Sequence, residues 1–232
     1  KMKKIAILQS NYIPWKGYFD LISSVDEFII YDEMQYTKND WRNRNKIKCS
    51  NGTTWLTIPV KTENLFQKIN ETLIADKNWH KKHKNSLQTN YAKALKFKEN
   101  KDFIFDLYDQ VSNLQLLSDI NYIFLKEICN FLKINTEISF SSKYNMGEGK
   151  TERLINICKQ AEANLYISGP SAKNYIQENL FLENNIEIKW FDYSNYKEYE
   201  QLYPPFEHGV SILDLIFNTG EDAYKYLKST RK

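Results

Sequence analysis

Behind Lys1-Met2-Lys3-Lys4 the first apolar run is four residues, Ile5-Ala6-Ile7-Leu8, too few for a membrane span or a secretory signal but enough for a short buried strand. The run breaks at Gln9-Ser10-Asn11-Tyr12-Ile13-Pro14, after which Tyr18, Leu21, Ile22 and Val25 recur at helical spacing. A second apolar run, Glu27 to Tyr31, ends at Asp32. Strand, loop, helix and strand make a βαβ unit, which implies a parallel pair. Ligands of open parallel sheets sit beyond the carboxyl ends of the strands, so the Gln9 to Trp15 and Asp32 to Gln35 loops are expected to converge.

Farther along, Trp55 to Val60 is a third strand candidate, preceded by the tight-turn pair Asn51-Gly52 and by a polar stretch, Tyr36 to Asn51, long enough for a functional loop. From about Trp79 to Leu132 the period turns helical: Ile104, Leu107, Tyr108, Val111 and Leu114 share one face, and Ile123, Leu125, Ile128, Phe131 and Leu132 another. Glu137 to Ser141 reads as a strand, Met146 to Gly149 as a flexible link and Lys150 to Ala163 as a helix. Leu165 to Ile167 is a strand entering the Ser168-Gly169-Pro170 loop, Ile186 to Phe191 a further strand, and Ser211 to Phe217 begins an amphipathic close. The pattern predicts one elaborated α/β domain over residues 1–232, mainly a parallel sheet with a helical insertion at about 79–132.

Composition narrows the function. The chain has 232 residues, 42% of them hydrophobic, with only 7 Gly and 5 Pro, which excludes a disordered or collagen-like chain. Basic residues number 32 against 29 acidic, a net +3, so no nucleic-acid partner is expected. No apolar stretch is long enough to span a bilayer. Three widely spaced cysteines, Cys49, Cys129 and Cys158, fit neither a disulfide framework nor a metal site and point to a reducing cytoplasm.

The first strand–loop–helix lacks the glycine patterns of dinucleotide and P-loop sites, since Gly17 stands alone. Only four residues are Arg, so Arg42 and Arg44, alternating with amides in Trp41-Arg42-Asn43-Arg44-Asn45, are notable. Guanidinium forks and amides suit a nucleotide diphosphate or a sugar; a solvated loop or an edge strand of alternating charge is the structural alternative. Asp32, ending an apolar strand, is the better placed carboxylate for acid/base work. His80 and His83 share a helix face without the further ligands zinc requires, so no metal site is assigned. Ser168 and Gly169 follow a strand and precede a helix, where they are expected either to line an anion or sugar site or to cap the helix.

Leu8-Gln9-Ser10-Asn11-Tyr12-Ile13-Pro14-Trp15-Lys16-Gly17-Tyr18-Phe19 resembles the opening of the WbqC-like family, whose members read Gln-Pro-Asn-Tyr-Leu-Pro-Trp-x-Gly-Tyr-Phe there. The likeness continues through Asp32 to Tyr36, Trp41 to Asn45, Trp55 to Val60, Tyr166 to Pro170 and Ser211 to Asn218, with Ser10 in place of Pro as the visible departure. The resemblance implies bacterial surface-polysaccharide assembly, beside enzymes that make amino-sugar nucleotides. On that footing the expected activity is modification of an amino-sugar nucleotide of O-antigen or capsule, by transfer of an acyl or aminoacyl group such as glycyl to the sugar amine. His83, in a Lys-His pair that resembles a recurrent family position, and Asp32 are the expected acid/base residues. Gln9, Asn11, Tyr12, Trp15, Gln35, Trp41, Arg42, Asn43, Arg44, Tyr91, Ser168 and Gly169 are the expected substrate contacts, with Tyr91 orienting His83. ATP and magnesium are needed only if the acyl group is activated in place. A homo-oligomer is compatible with the chain. The alternative is a non-catalytic module that binds a nucleotide sugar or a glycosyltransferase, using Tyr12, Trp15, Tyr36 and Trp41 as a stacking surface.

Overall fold

The computed structural model describes residues 2–230; Arg231 falls outside them. Five parallel strands form the sheet: β1 (Lys4–Leu8), β2 (Glu27–Ile30), β5 (Glu137–Phe140), β6 (Leu165–Ser168) and β7 (Glu187–Trp190), in the spatial order β5-β2-β1-β6-β7. Their short β-branched runs alternate between two cores. Ala6, Phe28, Ile30, Leu165 and Ile167 face one side, and Ile5, Ile7, Ile29, Tyr31 and Tyr166 the other, as a sheet buried on both faces requires.

Helix α1 (Lys16–Ser23) carries the β1 to β2 crossover on the first face through Tyr18, Phe19, Leu21 and Ile22. Helix α5 (Lys150–Gln160) carries the β5 to β6 crossover on the second face through Leu154, Ile155, Ile157 and Cys158, joined there by Phe181 of α6 (Glu178–Glu183). The chain therefore changes sheet face and direction between β1 and β6. That is a topological switch point, and the loops leaving those two strands part to leave a crevice.

The connection from β2 to β5 holds the insertion. It contains an antiparallel hairpin, β3 (Arg44–Cys49) and β4 (Gly52–Thr57), then α2 (Trp79–Tyr91), α3 (Phe97–Val111) and α4 (Leu117–Phe131). The polar stretch expected as a loop thus contains a strand: Arg44 pairs with Thr57 and Cys49 with Gly52 in unbroken register. Hydrophobic alternation did not reveal β3, because its buried positions include the polar Asn45, on the face of Ile47, and Lys48, on the opposite face. Asn45 satisfies its burial by donating to the Tyr12 carbonyl at 3.1 Å, and Lys48 by donating to the Pro205 carbonyl at 2.8 Å. Helix α7 (Ile212–Thr219), capped by Ser211 Oγ, closes the first face.

The lone Gly17 is explained by packing. A Cβ there would sit 2.2 Å from the Trp15 indole, which is wedged against Tyr193 and Tyr196 at ring-centre distances of 5.5 and 5.7 Å. Gly17→Ala is expected to cost about 1–3 kcal/mol by forcing Trp15 from this wedge, read as a lower denaturation midpoint. An unchanged midpoint would mean that the indole shifts freely.

Candidate functional site

The crevice between β1 and β6 holds a cleft of about 460 Å³. Its size falls within the range of small-molecule sites. Ile7, Leu8, Tyr31, Met34, Leu154, Tyr166 and Ile176 make an apolar floor and walls; Gln9, Ser168, Gly169, Ser171, Lys150 and Arg153 supply the polar groups. Gln9 and the Ser168-Gly169 pair, expected from sequence at the strand ends, do meet here. Asp32 and Gln35 do not: Met34 is the residue of their loop that reaches the cleft.

Lys150 and Arg153 were missed by the sequence reading, which treated Met146 to Gly149 as a link. Gly147 and Gly149 have φ of 69° and 89°, the left-handed region glycine tolerates, and Gly149 delivers the chain into α5 without any side-chain cap. Helix α5 therefore begins at the cleft wall, where Gly149 and Lys150 line it and the helix dipole favours an anion. Glu152 already turns back toward Gly149, so that a Cβ there would sit 2.5 Å from its carboxylate. The Arg153 guanidinium carbon sits 5.6 Å from the Tyr31 ring centre, with Nη2 3.7 Å from Met146 Sδ and a buried Nε that has no partner. Among the described residues neither Lys150 nor Arg153 forms an ion pair. The available signal was Gly-x-Gly-Lys-Thr at the head of a helix following a strand.

Asp32 sits at the end of β2, only 3% exposed. Its carboxylate accepts from the Ser10 amide at 2.8 Å, from Ser10 Oγ at 2.6 Å and from Ser118 Oγ of α4. Burial pushes its pKa above the ordinary aspartate range, against these hydrogen bonds and the nearby Arg42 charge. With its oxygens committed to Ser10 and Ser118, the geometry casts Asp32 as a clamp on the loop after β1. Asn121 extends the clamp, donating to Ser10 Oγ at 3.0 Å and to the Arg42 carbonyl at 2.9 Å.

The remaining expected residues gather on the hairpin side of that loop. Arg42 donates to Asn11 Oδ1 and pairs with Asp40 at 3.5 Å; Asn43 donates to the Ile58 carbonyl at 2.9 Å. Arg44 donates to the Asn39 carbonyl at 2.7 Å and stacks on Trp55, 3.9 Å from the ring centre. A second groove of about 270 Å³ is lined by Asn11, Pro14, Trp15, Trp41, Asn45 and Gly209. Gln35 donates instead to the Leu65 carbonyl at 2.6 Å. Tyr91, fully buried, donates to Asp214 at 2.8 Å and so does not orient His83. Asp214 also accepts from Tyr199 and from Gln201, the latter at 2.7 Å. Among the described residues no cluster of three or more His, Cys, Asp or Glu side chains is placed to hold a metal ion.

His83 lies apart from the switch-point cleft, at a depression of about 190 Å³ bounded by Trp55, Pro59, Trp79 and Lys82. Its Nε2–H donates to the Thr57 carbonyl at 2.9 Å, so Nδ1 accepts from Tyr12 Oη at 2.7 Å, and Tyr12 in turn accepts from Tyr108 Oη at 2.5 Å. Burial lowers its pKa to about 4. The imidazole is thus neutral in the fold and protonates on unfolding below about 6.5. Its contribution is complete above that value and is lost as the pH falls toward 4, a difference of about 3 kcal/mol. The raised pKa values of Asp32 and Asp214 act in the opposite sense. His83→Gln is accordingly expected to be less stable at pH 7 yet to lose less on acidification from 6.5 to 4 than the parent chain. Parallel stability curves in denaturant titrations at the two pH values would contradict the buried neutral state.

No solved structure matches the chain. It is 53% identical, over the whole of both chains, to a protein of Mycobacterium tuberculosis (strain ATCC 25618 / H37Rv) described as "Uncharacterized protein Rv1507c". No helix among the described residues is long and apolar enough to cross a membrane. The family model described as "WbqC-like protein family" matches residues 9–226, which includes the loop after β1, the hairpin, the helical insertion and both crossover helices, and the chain belongs to that family.

Proposed function

We propose that the protein binds a nucleotide-activated sugar in the β1/β6 cleft and modifies its amino group, transferring an acyl or aminoacyl unit such as glycyl during assembly of a bacterial O-antigen or capsule. The observation that carries the binding reading is the convergence, at a switch point, of a helix start without a side-chain cap and two cations, Lys150 and Arg153, that form no ion pair among the described residues. The α5 amides and Arg153 receive the diphosphate, the apolar floor beside Tyr31 and Met34 takes the base, and Gln9 and Ser168 face the sugar. If the acyl group is adenylated in place, ATP uses the same anion site and magnesium arrives on its phosphates. The polysaccharide context rests on the family resemblance, a warrant of analogy.

One observation favours the second reading, a non-catalytic nucleotide-sugar or glycosyltransferase-partner module: among the described residues no carboxylate or imidazole side chain lines the cleft. In the transfer reading the ammonium proton therefore leaves to the departing group of the donor. Incubation of an amino-sugar nucleotide with candidate donors separates the two readings by mass spectrometry, since a mass gain appears only with an enzyme.

The binding reading is tested by calorimetry with UDP-N-acetylglucosamine and ADP. Arg153→Ala is expected to weaken whichever of them binds by about 1.5–3 kcal/mol, the loss of a charge-assisted hydrogen bond, with circular dichroism unchanged. Unaltered affinity in this variant, or no heat from the parent protein with either nucleotide, would remove the cleft from the account.

A further inference from the structure

The hairpin carries a second arrangement that the nucleotide cleft does not use. Trp41 and Trp55 are 39% and 40% exposed, with ring centres 5.5 Å apart. Indoles of that size are normally covered when their only role is packing, and a cluster of them on a surface marks a contact site. Trp41 forms one wall of the 270 Å³ groove, and Trp15 and Pro14 supply more of its apolar lining. Asn11 and Asn45 also line the groove; the Asn45 amide is buried between the Tyr12 carbonyl and the Lys46 backbone N–H, so Asn11 supplies the polar edge beside the apolar faces.

The charge on this ridge is uncompensated. Arg42 is neutralised by Asp40, but among the described residues Arg44 and Lys46 pair with no carboxylate. The Arg44 guanidinium carbon is 3.9 Å and the Lys46 ammonium 5.1 Å from the Trp55 ring centre, so both cations are held beside the aromatic surface.

We infer that the groove between Trp15 and Trp41, with the cationic Trp55 face beside it, is a subsite for a carboxylate-bearing saccharide. A pyranose ring presents a face of weakly positive C–H bonds to the negative face of an indole, its hydroxyls meet the Asn11 amide, and its carboxylate meets Arg44 and Lys46. A nucleic-acid strand fits less well, because its repeating phosphates call for a basic track, whereas the whole chain carries only +3. The subsite adjoins the nucleotide cleft through one side chain: the Tyr193 ring packs on Trp15 at 5.5 Å and lies 3.6 Å from the Cβ position of Gly169. The inference stands whether or not that cleft holds a nucleotide.

The test titrates the full chain with two tetrasaccharides, one of alternating glucuronate and N-acetylglucosamine and one of N-acetylglucosamine alone, following indole fluorescence and calorimetric heat. The acidic glycan is expected to saturate the signal at least tenfold more tightly than the neutral one. Trp41→Ala should weaken it at least tenfold, and Arg44→Gln with Lys46→Gln should erase the preference for the acidic glycan. Circular dichroism of the variants should match the parent, because Trp41 is partly exposed and the two cations, half-buried, form no ion pair among the described residues whose loss would unfold the hairpin. The inference is overturned by absence of a saturable response to the acidic glycan, by equal affinity for the neutral one, or by full affinity in Trp41→Ala. Tighter binding of a single-stranded oligonucleotide of equal charge would overturn it as well.

Discussion

The buried carboxylate of Asp32 is the constraint from which the functional surfaces follow. A charge withdrawn from water at the end of a central strand is tolerable only when surrounding donors replace the lost solvent. Here they come from two other parts of the fold: the amide and hydroxyl of Ser10, after β1, and the hydroxyl of Ser118, in the helical insertion. The requirement welds the β1 loop to β2 and α4. Asn121 carries the weld on to the Arg42 carbonyl, and so to the approach to the hairpin. Ser10 meets this demand with both its amide and its hydroxyl.

Pinned at Ser10, the loop divides the surface in two. Gln9 faces the cleft between β1 and β6, while Asn11, Pro14 and Trp15 face the groove beside the hairpin. Ile13, between them, is fully buried with φ of 36°, a backbone region that a β-branched residue enters only when its surroundings dictate it. The Tyr12 carbonyl accepts from Asn45 and the Tyr12 amide donates to the Trp41 carbonyl, which supplies that dictation from the hairpin side. The same short segment thus sets the geometry of both candidate ligand surfaces, and the long connection after β2 exists in large part to hold it.

Much of this was legible in the sequence because it is written in periodicity. The five sheet strands, the βαβ opening and the helices between Trp79 and Leu132 follow from apolar patterns that tertiary packing satisfies directly. Strand β3 was hidden because Asn45 and Lys48 are buried by hydrogen bonds to distant carbonyls, which no local pattern encodes. His83 and Tyr91 looked available for chemistry since sequence cannot show that their polar atoms are already spent on Tyr12, Thr57 and Asp214. Lys150 and Arg153 were overlooked for the opposite reason: their importance depends on the crossover from β5 to β6 returning them to the switch point, a long-range fact. The exposed Trp41 was readable as a surface aromatic, whereas Tyr12 and Tyr36, which share its composition signal, are core residues.

The central claim is that the switch-point cleft receives a nucleotide by its phosphates. A crystal structure of the protein with UDP-N-acetylglucosamine or ADP tests it most directly. The account predicts phosphate oxygens about 2.7–3.2 Å from the first-turn amides of α5 and from the Arg153 guanidinium, with the base over Tyr31 and Met34. A nucleotide seated in the Trp15–Trp41 groove or at the His83 depression, with the β1/β6 cleft filled only by water, would contradict it.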